Sequence, residues 1–258
     1  MARNLELRST YLYNDAGIGT LSMKPEAALQ DTSNSSIPST SFSELSGLQK
    51  KNEYAVATIL GKSIRDAMDS ELTEIIEVHN SKKLTSGIRS GFKKSGPLSI
   101  SDSKSSLEGF NFNSQNDFSK GEGTKYFIRK GAHKGHIILH IPAFTPVKAL
   151  NAPENATNFK LSARLIALSD YLFNKEISSF VPMDTTTHGK YGKYESSMLP
   201  LLRIPTQPIT AQISINRGAP LHDAMGTVLI LAVKFYNYAG RRFTHLPGDG
   251  IMQILKVF

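Results

Sequence analysis

The chain has 258 residues, 40% of them apolar, with a formal net charge of +8 and no cysteine. The lack of cysteine excludes disulfides, thiolate metal sites and cysteine nucleophiles together. No run approaches the roughly 18 apolar residues of a membrane-spanning helix, and the first residues lack the apolar core of a secretory signal. We therefore expect the cytoplasm as the default location, with export by a route without a standard signal left open.

Charge and hydrophobic periodicity both change near residue 100. Residues 1–120 contain 14 Lys and Arg against 14 Asp and Glu, whereas residues 121–258 contain 16 against 8. Apolar side chains have helical spacing at 41–80 and form short alternating runs beyond about residue 105. The expected segments are an N-terminal hairpin and extended polar arm at 1–40, a helix pair and basic connector at 41–100, and a β-sandwich domain at 101–258.

The first 40 residues predict a hairpin followed by a polar arm. Residues 5–13 and 18–23 have the composition of strands, and the Asn, Asp and Gly of residues 14–17 tolerate the positive φ of a tight turn. Residues 24–40 are rich in Pro, Ser, Thr and Asn and have little apolar surface to bury. We expect this arm to lack fixed structure on its own.

Two helices are predicted between residues 41 and 80. Ser41 and Glu44 have the spacing of a capping box, in which the two side chains satisfy the first free N–H groups of a helix. Asp69 or Ser70 can cap the second helix. Residues 81–100 hold five Lys or Arg besides Gly and Pro, so we expect a connector there. The predicted apolar stripes are Leu45, Leu48, Ala55, Ile59, Ile64 and Ala67 in the first helix, and Leu72, Ile75, Ile76 and His79 in the second.

The remainder of the chain predicts many short strands. Residues 159–167 alternate apolar with mostly polar side chains, which is typical of a half-buried strand. Branched and aromatic residues are concentrated at 125–129, 136–141, 159–167, 176–181, 211–215, 227–238, 242–246 and 251–258. Because turns and not helices separate these runs, the predicted fold is α+β and mainly β: an antiparallel β-sandwich with an N-terminal hairpin or arm and a helix pair.

No group of residues in the sequence predicts an active site. His133, His136 and His140 have a spacing that can hold zinc on a helix, but in a strand residues four apart lie about 13 Å from each other. Solvated histidines are therefore favoured over a metal site. Residues 121–125 resemble a phosphate-binding loop only faintly, because the required spacing and the following helix are absent. We predict no catalytic residue, no metal and no cofactor.

Basic residues of the β half support a polyanion-binding hypothesis. Lys190 and Lys193 alternate with tyrosines and, together with Arg241 and Arg242, could follow a phosphate backbone while the rings stack on bases. The partner would be nucleic acid or another acidic molecule. The alternative is that the lysines lie in a solvated loop and the arginines at the tip of a hairpin.

Tyrosines support a second binding hypothesis, a carbohydrate-binding sandwich. Tyr171, Tyr191 and Tyr194 could serve as stacking platforms for sugar rings if their side chains are exposed. The absence of Trp from the sequence weakens this hypothesis.

Short stretches along the chain carry a resemblance to a known family. They are Ala-Arg-Asn at 2–4, the helical region at 41–80, Glu-Gly-Phe-Asn-Phe-Asn at 108–113, Ile-Pro-Ala-Phe-Thr-Pro at 141–146, Ala-Pro at 152–153 and Thr-Asn-Phe-Lys at 157–160. In these stretches the chain resembles a family of uncharacterised proteins from bacteria of the Bacteroidota. The arm at 24–40 departs from the family, whose members carry Lys, Arg and Gly there. The resemblance implies a shared architecture and supplies no established activity.

The leading functional hypothesis is a non-enzymatic structural protein that assembles with copies of itself as a filament, tube or shell. It rests on the lack of a predicted site, on the extended arm, and on the many strands able to pair between subunits. The expected contacts on the arm are Leu5, Leu7, Tyr11 and Tyr13. Polyanion binding and carbohydrate binding remain the alternatives.

Overall fold

The computed structural model describes residues 42–116, 118, 125–215 and 219–258, with side chains from residue 50 onward. The predicted hairpin and arm at 1–40 lie outside these ranges. The helices are α1 (Phe42–Asp66), α2 (Ser70–Thr73), α3 (Val78–Gly91), α4 (Lys104–Leu107) and α5 (Pro146–Ala149), with a 3₁₀ turn at Ile100–Ser103. The strands are β1 (Phe127–Lys130), β2 (His136–Ile141), β3 (Asn158–Ser169), β4 (Tyr171–Asn174), β5 (Ser179–Pro182), β6 (Tyr191–Glu195), β7 (Leu199–Pro200), β8 (Ile209–Ser214), β9 (Met225–Ala239), β10 (Arg242–His245) and β11 (Ile251–Val257).

Two long strands form the centre of a six-stranded antiparallel sheet. β3 and β9 pair along twelve residues, from Asn158 opposite Tyr236 to Ser169 opposite Met225. The other edge of β9 pairs with β11 and then with β10, while the other edge of β3 pairs with β6 and β7. Both central strands are therefore hydrogen-bonded on two sides, which suits their content of branched apolar residues.

A three-stranded antiparallel sheet, in the order β1-β2-β8, packs on one face of the large sheet. The side chains between the two sheets are apolar, and they include Ile137, Leu139, Ile141, Ala211, Ile213, Phe159, Leu161, Leu165, Leu229, Leu231 and Val233. The sheets approach most closely where β6 meets β8. A side chain at Gly192 would collide there with the Ser214 carbonyl group. The α+β, mainly β fold predicted from the sequence is confirmed.

Helices α1 to α4 cover the opposite face of the large sheet. Ile166, Leu168, Val228, Ile230 and Ala232 point from the sheet into this layer. The helical side chains that meet them include Val56, Leu60, Ile64, Leu72, Leu84 and Ile88. Because helices and sheet share one hydrophobic cluster, the change in sequence pattern near residue 100 does not separate two cores.

The helical region differs from the prediction in register and in extent. Helix α1 begins at Phe42 as the capping box predicted, but Ala55 and Ile59 of the predicted stripe are exposed, whereas Val56 and Leu60 are buried. The second helix is one turn long. Asp69 caps it by accepting a hydrogen bond from the Leu72 N–H group at 2.9 Å.

Much of the predicted connector at 81–100 is helical, because α3 extends from Val78 to Gly91. Its basic residues lie on the solvent side, while Leu84, Thr85 and Ile88 are buried against α1 and the sheet. The prediction was wrong for residues 81–91 because Lys and Arg are good helix formers, and four-residue apolar spacing is enough for a helix that packs on one side.

The outer edge of β11 is covered by residues 109–112. The N–H groups of Gly109 and Phe112 donate to the carbonyl oxygens of Ile254 and Met252, and the Ile254 N–H group donates to Phe110, each at 2.9 Å. This segment removes one open edge from the large sheet.

Candidate functional site

An exposed apolar hairpin stands out on the surface of the described chain. Strands β4 and β5 pair with each other as a two-stranded sheet, and large apolar side chains are exposed on β4, in the connection and just after β5. Four of them are exposed at 39% to 60%, namely Leu172, Phe173, Ile177 and Met183. We call these four residues, together with Ile59 of α1, the hairpin surface. Leu172 and Phe173 are adjacent in β4 and point to its two opposite faces, so both faces of the hairpin expose an apolar side chain. A concentration of exposed apolar side chains is typical of interaction sites.

Local hydrogen bonds explain why the chain turns here without glycine or proline. The Asn174 side-chain oxygen accepts hydrogen bonds from the N–H groups of Glu176 at 2.9 Å and Ile177 at 3.4 Å. Ser178 then adopts a positive φ of 49°. Phe173 and Phe180 lie opposite each other in the ladder and make an edge-to-face contact with ring centroids 5.2 Å apart. The turn is therefore fixed and holds Ile177 in solvent.

Helix α1 runs beside the hairpin and extends the apolar surface. Asn52 donates from its side-chain amide to the Ser178 carbonyl oxygen at 2.9 Å. Eleven residues later, Ser63 contacts His188 at 2.8 Å. Ile59 lies on the helical stripe between these two anchors and is 45% exposed. The hairpin surface therefore combines one helix and one two-stranded sheet.

The edge of β4 is open and carries no charge. Its first residue, Tyr171, exchanges main-chain hydrogen bonds with Leu98, and beyond it residues 172–174 pair with β5 alone in the part of the chain that the structure describes. By contrast, β1, β6 and β10, which lie at ends of their sheets, contain Lys or Arg, whereas β8 at the other end of the small sheet contains none. Charged edge residues oppose pairing with another chain, and β4 lacks them.

A second feature is a charged cluster between α2 and the large sheet. Lys234 is 1% exposed, and its amino group lies 2.7 Å from Glu71 and 3.1 Å from Glu195. Arg164 is 3% exposed and lies 2.7 Å from Asp69. Lys160 stands directly opposite Lys234 in the ladder and shares the same Glu195 oxygen, at 3.1 Å. The cluster contains three cations and three carboxylates, so its net charge is zero.

The cluster keeps its charges over a wide pH range. Burial alone would lower the pKa of Lys234, but the hydrogen bonds to Glu71 and Glu195 raise it above its ordinary value. Burial likewise opposes ionisation of Glu71 and Glu195, yet their hydrogen bonds with Lys234 lower the pKa of both carboxyls. Burial and the neighbouring Glu71 carboxylate raise the pKa of Tyr236, whose hydroxyl donates to Glu71 at 2.8 Å.

This arrangement suits a structural role better than proton transfer. Each carboxylate is engaged by a cation, and a general acid or base needs a pKa near the working pH, whereas these pKa values move away from neutrality. The cluster also corrects the prediction that residues 159–167 form a half-buried strand. Ser162 and Arg164 are buried under α2 and not turned toward water, while Lys160 is partly exposed beside Glu195.

The contact between Ser63 and His188 suggests nucleophilic chemistry. The Ser63 hydroxyl lies 2.8 Å from Nε2 of His188. However, Nδ1 of His188 accepts a hydrogen bond from the Ser169 N–H group at 3.1 Å. In a neutral imidazole the proton must then be on Nε2, which donates to Ser63. Burial lowers the pKa of His188, opposed in part by the charge of Asp184, so the neutral ring is favoured.

The direction of these bonds makes Ser63 an acceptor from His188. Its own hydroxyl proton goes to the Ile59 carbonyl oxygen, 3.0 Å away. A serine nucleophile requires the reverse arrangement, with the imidazole nitrogen accepting the hydroxyl proton. The contact fastens α1 to the segment before β6, which is a packing function.

The basic residues predicted to bind polyanions fall into two separate places. Lys190 and Lys193 are exposed at the start of β6 and within it, and Lys193 lies level with Arg164 and Ile230 of the sheet. Arg241 and Arg242 are exposed at the β9–β10 turn, where Arg241 has a φ of 69°. The two pairs are roughly 30 Å apart along the sheet at about 3.3 Å per residue. The fold does not bring these residues into one patch.

The other predicted contacts have mixed outcomes. Tyr171 is 3% exposed, so the prediction that it could stack on a sugar was wrong. Tyr191 is 45% exposed, and the Arg164 guanidinium lies 6.0 Å from the centre of its ring. Tyr194 is partly buried in the core between the two sheets. The assembly contacts predicted on the N-terminal segment, which are Leu5, Leu7, Tyr11 and Tyr13, lie outside the described residues.

The three histidines considered as zinc ligands do not converge. His136 and His140 lie in β2 as predicted, and Nδ1 of His140 is 3.0 Å from the Thr210 hydroxyl. His133 and His136 have ring centroids 5.8 Å apart. Within the described ranges, no three His, Asp or Glu side chains are grouped closely enough to hold a metal ion.

Sequence reasoning missed β4, β6 and the buried charges. The residues of β6 were interpreted as a solvated loop because Lys and Gly alternate there with Tyr, although alternation itself is the signal of a strand. Lys234 interrupts an apolar run, and a lone Lys in such a run is a signal for a buried ion pair.

No described helix is both long enough and apolar enough to cross a membrane. A comparison of the sequence with models of protein families and with curated proteins finds no match. The resemblance to Bacteroidota proteins therefore stays a prediction.

Proposed function

We propose that this protein is a non-enzymatic structural protein whose copies associate through the hairpin surface. The observation that carries the proposal is the open, uncharged edge of β4 surrounded by exposed apolar side chains. Burying such side chains between subunits supplies free energy of about 1.5 to 3 kcal/mol for each fully buried Leu or Ile.

The proposed occupant of this surface is the N-terminal segment of another copy. Leu5 and Leu7, like Tyr11 and Tyr13, alternate with other residues, so in an extended conformation each pair would face the same side. An extended segment that adds to the β4 edge would gain main-chain hydrogen bonds, and its alternate apolar side chains would contact the hairpin surface.

Two polar features are consistent with a structural role. The charged cluster is internally neutral and holds α2 to the sheet. The Ser63 hydroxyl receives a proton from His188 and does not give one to it. Both features hold helices on the β domain, as a rigid subunit requires.

The proposal is tested with a pair of matched double variants of the full chain. Leu172→Ser with Ile177→Ser removes side chains that are 48% and 60% exposed on the hairpin surface. Leu202→Ser with Ile204→Ser removes side chains that are 45% and 64% exposed elsewhere. Light scattering over a range of concentrations measures the mass of each protein, and electron microscopy shows whether assemblies form.

We expect the wild type and the control pair to associate alike and the hairpin pair to require at least about tenfold higher concentration, since two apolar contacts are lost. Leu5→Ser with Leu7→Ser should have the same effect as the hairpin pair. A wild type that is monomeric at all concentrations, or a control pair as defective as the hairpin pair, would contradict the proposal.

A further inference from the structure

A pocket at the β1–β2 connection is lined by basic side chains. Its volume is about 490 Å³, and its walls include Lys130, His133, Lys134, His136, Thr227 and Phe258. Cavities that hold small molecules have volumes of about 300 to 1,000 Å³. This pocket, which we call the basic pocket, lies apart from the hairpin surface and uses none of its residues.

The turn at residues 131–135 is shaped to hold the imidazoles at the pocket. The Gly131 N–H group donates to the His136 carbonyl oxygen at 2.8 Å, and the His136 N–H group donates to the His133 carbonyl oxygen at 3.1 Å. A side chain at Gly131 would collide with the His136 ring. Gly135 has a φ of 86°, which glycine adopts without strain.

The basic side chains of this pocket differ from those of the charged cluster in exposure and in partners: Lys130 and Lys134 are exposed, and His133 and His136 are partly buried. Lys160, Arg164 and Lys234 each have a carboxylate partner within 3.1 Å. In the described part of the chain, neither Lys130 nor the imidazoles of His133 and His136 lie within 4 Å of a carboxylate. The Lys134 amino group donates to a carbonyl oxygen, that of Asp223, at 2.8 Å.

One ring nitrogen in the pocket has no partner. Nε2 of His133 is shielded from solvent and makes no hydrogen bond. Buried polar atoms in folded proteins are nearly always hydrogen-bonded, so the His133 ring would gain a partner by turning to present this nitrogen to a group bound in the pocket. An oxyanion would accept hydrogen bonds from an imidazole N–H group and from the Lys130 amino group.

We propose that the basic pocket binds a small molecule carrying a phosphate group. Phosphate offers oxygens for several donors at once and matches the excess of positive charge. Ile137 and Phe258, which also line the pocket, provide apolar wall for an organic substituent. The ligand is therefore a phosphate monoester with a compact apolar or aromatic part, which binds more tightly than free phosphate.

Binding is measured by calorimetry with inorganic phosphate and with phenyl phosphate, on the full chain at low salt. Histidine resonances followed by NMR report which rings contact the probe. His136→Gln and Lys130→Met should each weaken phenyl phosphate binding at least about tenfold, because the first removes a ring N–H donor and the second removes a cationic donor to the phosphate. His140→Gln, on the same strand but bonded to Thr210, and Lys190→Met serve as matched controls.

Tighter binding of phenyl phosphate than of phosphate, with selective loss in the two pocket variants, supports the proposal. Absence of binding at millimolar phenyl phosphate, or equal weakening in the controls, overturns it. Equal affinity for the two probes would overturn the assignment to an organic phosphate and leave only a free-anion site. Lys130 is exposed, so its variant keeps the test valid even if His136→Gln fails to fold.

Discussion

The two faces of the large sheet are covered by different chemistry. Toward the small sheet, β3 and β9 present mainly apolar side chains, such as Leu165 and Leu231, with Ser169 and Thr227 as buried polar exceptions at one end. Toward the helices, the same strands are apolar at one end and carry Lys160, Arg164 and Lys234 at the other. An apolar face accepts any partner of suitable shape. A charged face favours only a partner whose carboxylates lie opposite its cations. We therefore expect the ion pairs to favour one position of the helix layer on the sheet.

The largest expected effect comes from the apolar face. Phe159 is completely buried between the sheets, with its ring centroid 6.1 Å from that of Phe144. Phe159→Ala should lower the free energy of unfolding by about 3 to 5 kcal/mol, because it removes a large apolar contact and leaves a cavity. Denaturant unfolding measures the change. Phe243→Ala, at a ring 48% exposed, should cost about 1 kcal/mol or less; similar losses for both would contradict the comparison.

The next effect comes from the charged face. Asp69→Ala should cost about 2 to 3 kcal/mol, because it leaves Arg164 without its carboxylate and removes the cap of α2. The loss stays below that of a fully buried pair, since Asp69 is 39% exposed and water can replace part of the contact. Asp69→Asn keeps a capping side chain and should be about 1 kcal/mol less damaging. Equal losses in thermal or denaturant unfolding would show that the cap contributes nothing.

The smallest expected effect is a loss of stability at acid pH. The pKa values of Glu71 and Glu195 are lowered by folding from an ordinary value of 4.5. Their contribution to stability is therefore complete above about pH 4.5 and is lost as the pH falls through the lowered values. Lys234→Met should flatten the pH dependence of the unfolding free energy below 4.5. Glu77 and Asp184 also have lowered pKa values, for reasons independent of Lys234, so they set a common background for both proteins.

The sequence predicted the elements whose signals are local. The capping-box spacing predicted the start of α1, and Asp69 was one of the two residues predicted to cap the second helix. The predicted strand at 136–141 matches β2. The buried charges could not be predicted in this way. Lys234 is stabilised by Glu71, which lies 163 residues away in the chain, and no local pattern shows that the two will meet.

The hairpin surface was missed for a related reason. The run at 176–181 was predicted as one strand, whereas it contains the turn and the start of β5. The turn depends on the Asn174 side chain and on a positive φ at Ser178, and neither position has the Gly or Pro that usually marks a turn. The predicted apolar stripe of α1 included Ile59, which belongs to the exposed hairpin surface and not to the core. The spacing of apolar residues alone does not distinguish an exposed apolar surface from a core face.

The segment at 109–112 has a consequence for the order of folding. It bonds to β11, and β11 in turn lies on β9, whose pairing with β3 joins residues roughly 60 to 80 positions apart. We expect the segment to be fixed only once β11 has paired with β9. Its three main-chain hydrogen bonds should therefore exchange their amide protons sooner than those of the β3–β9 ladder.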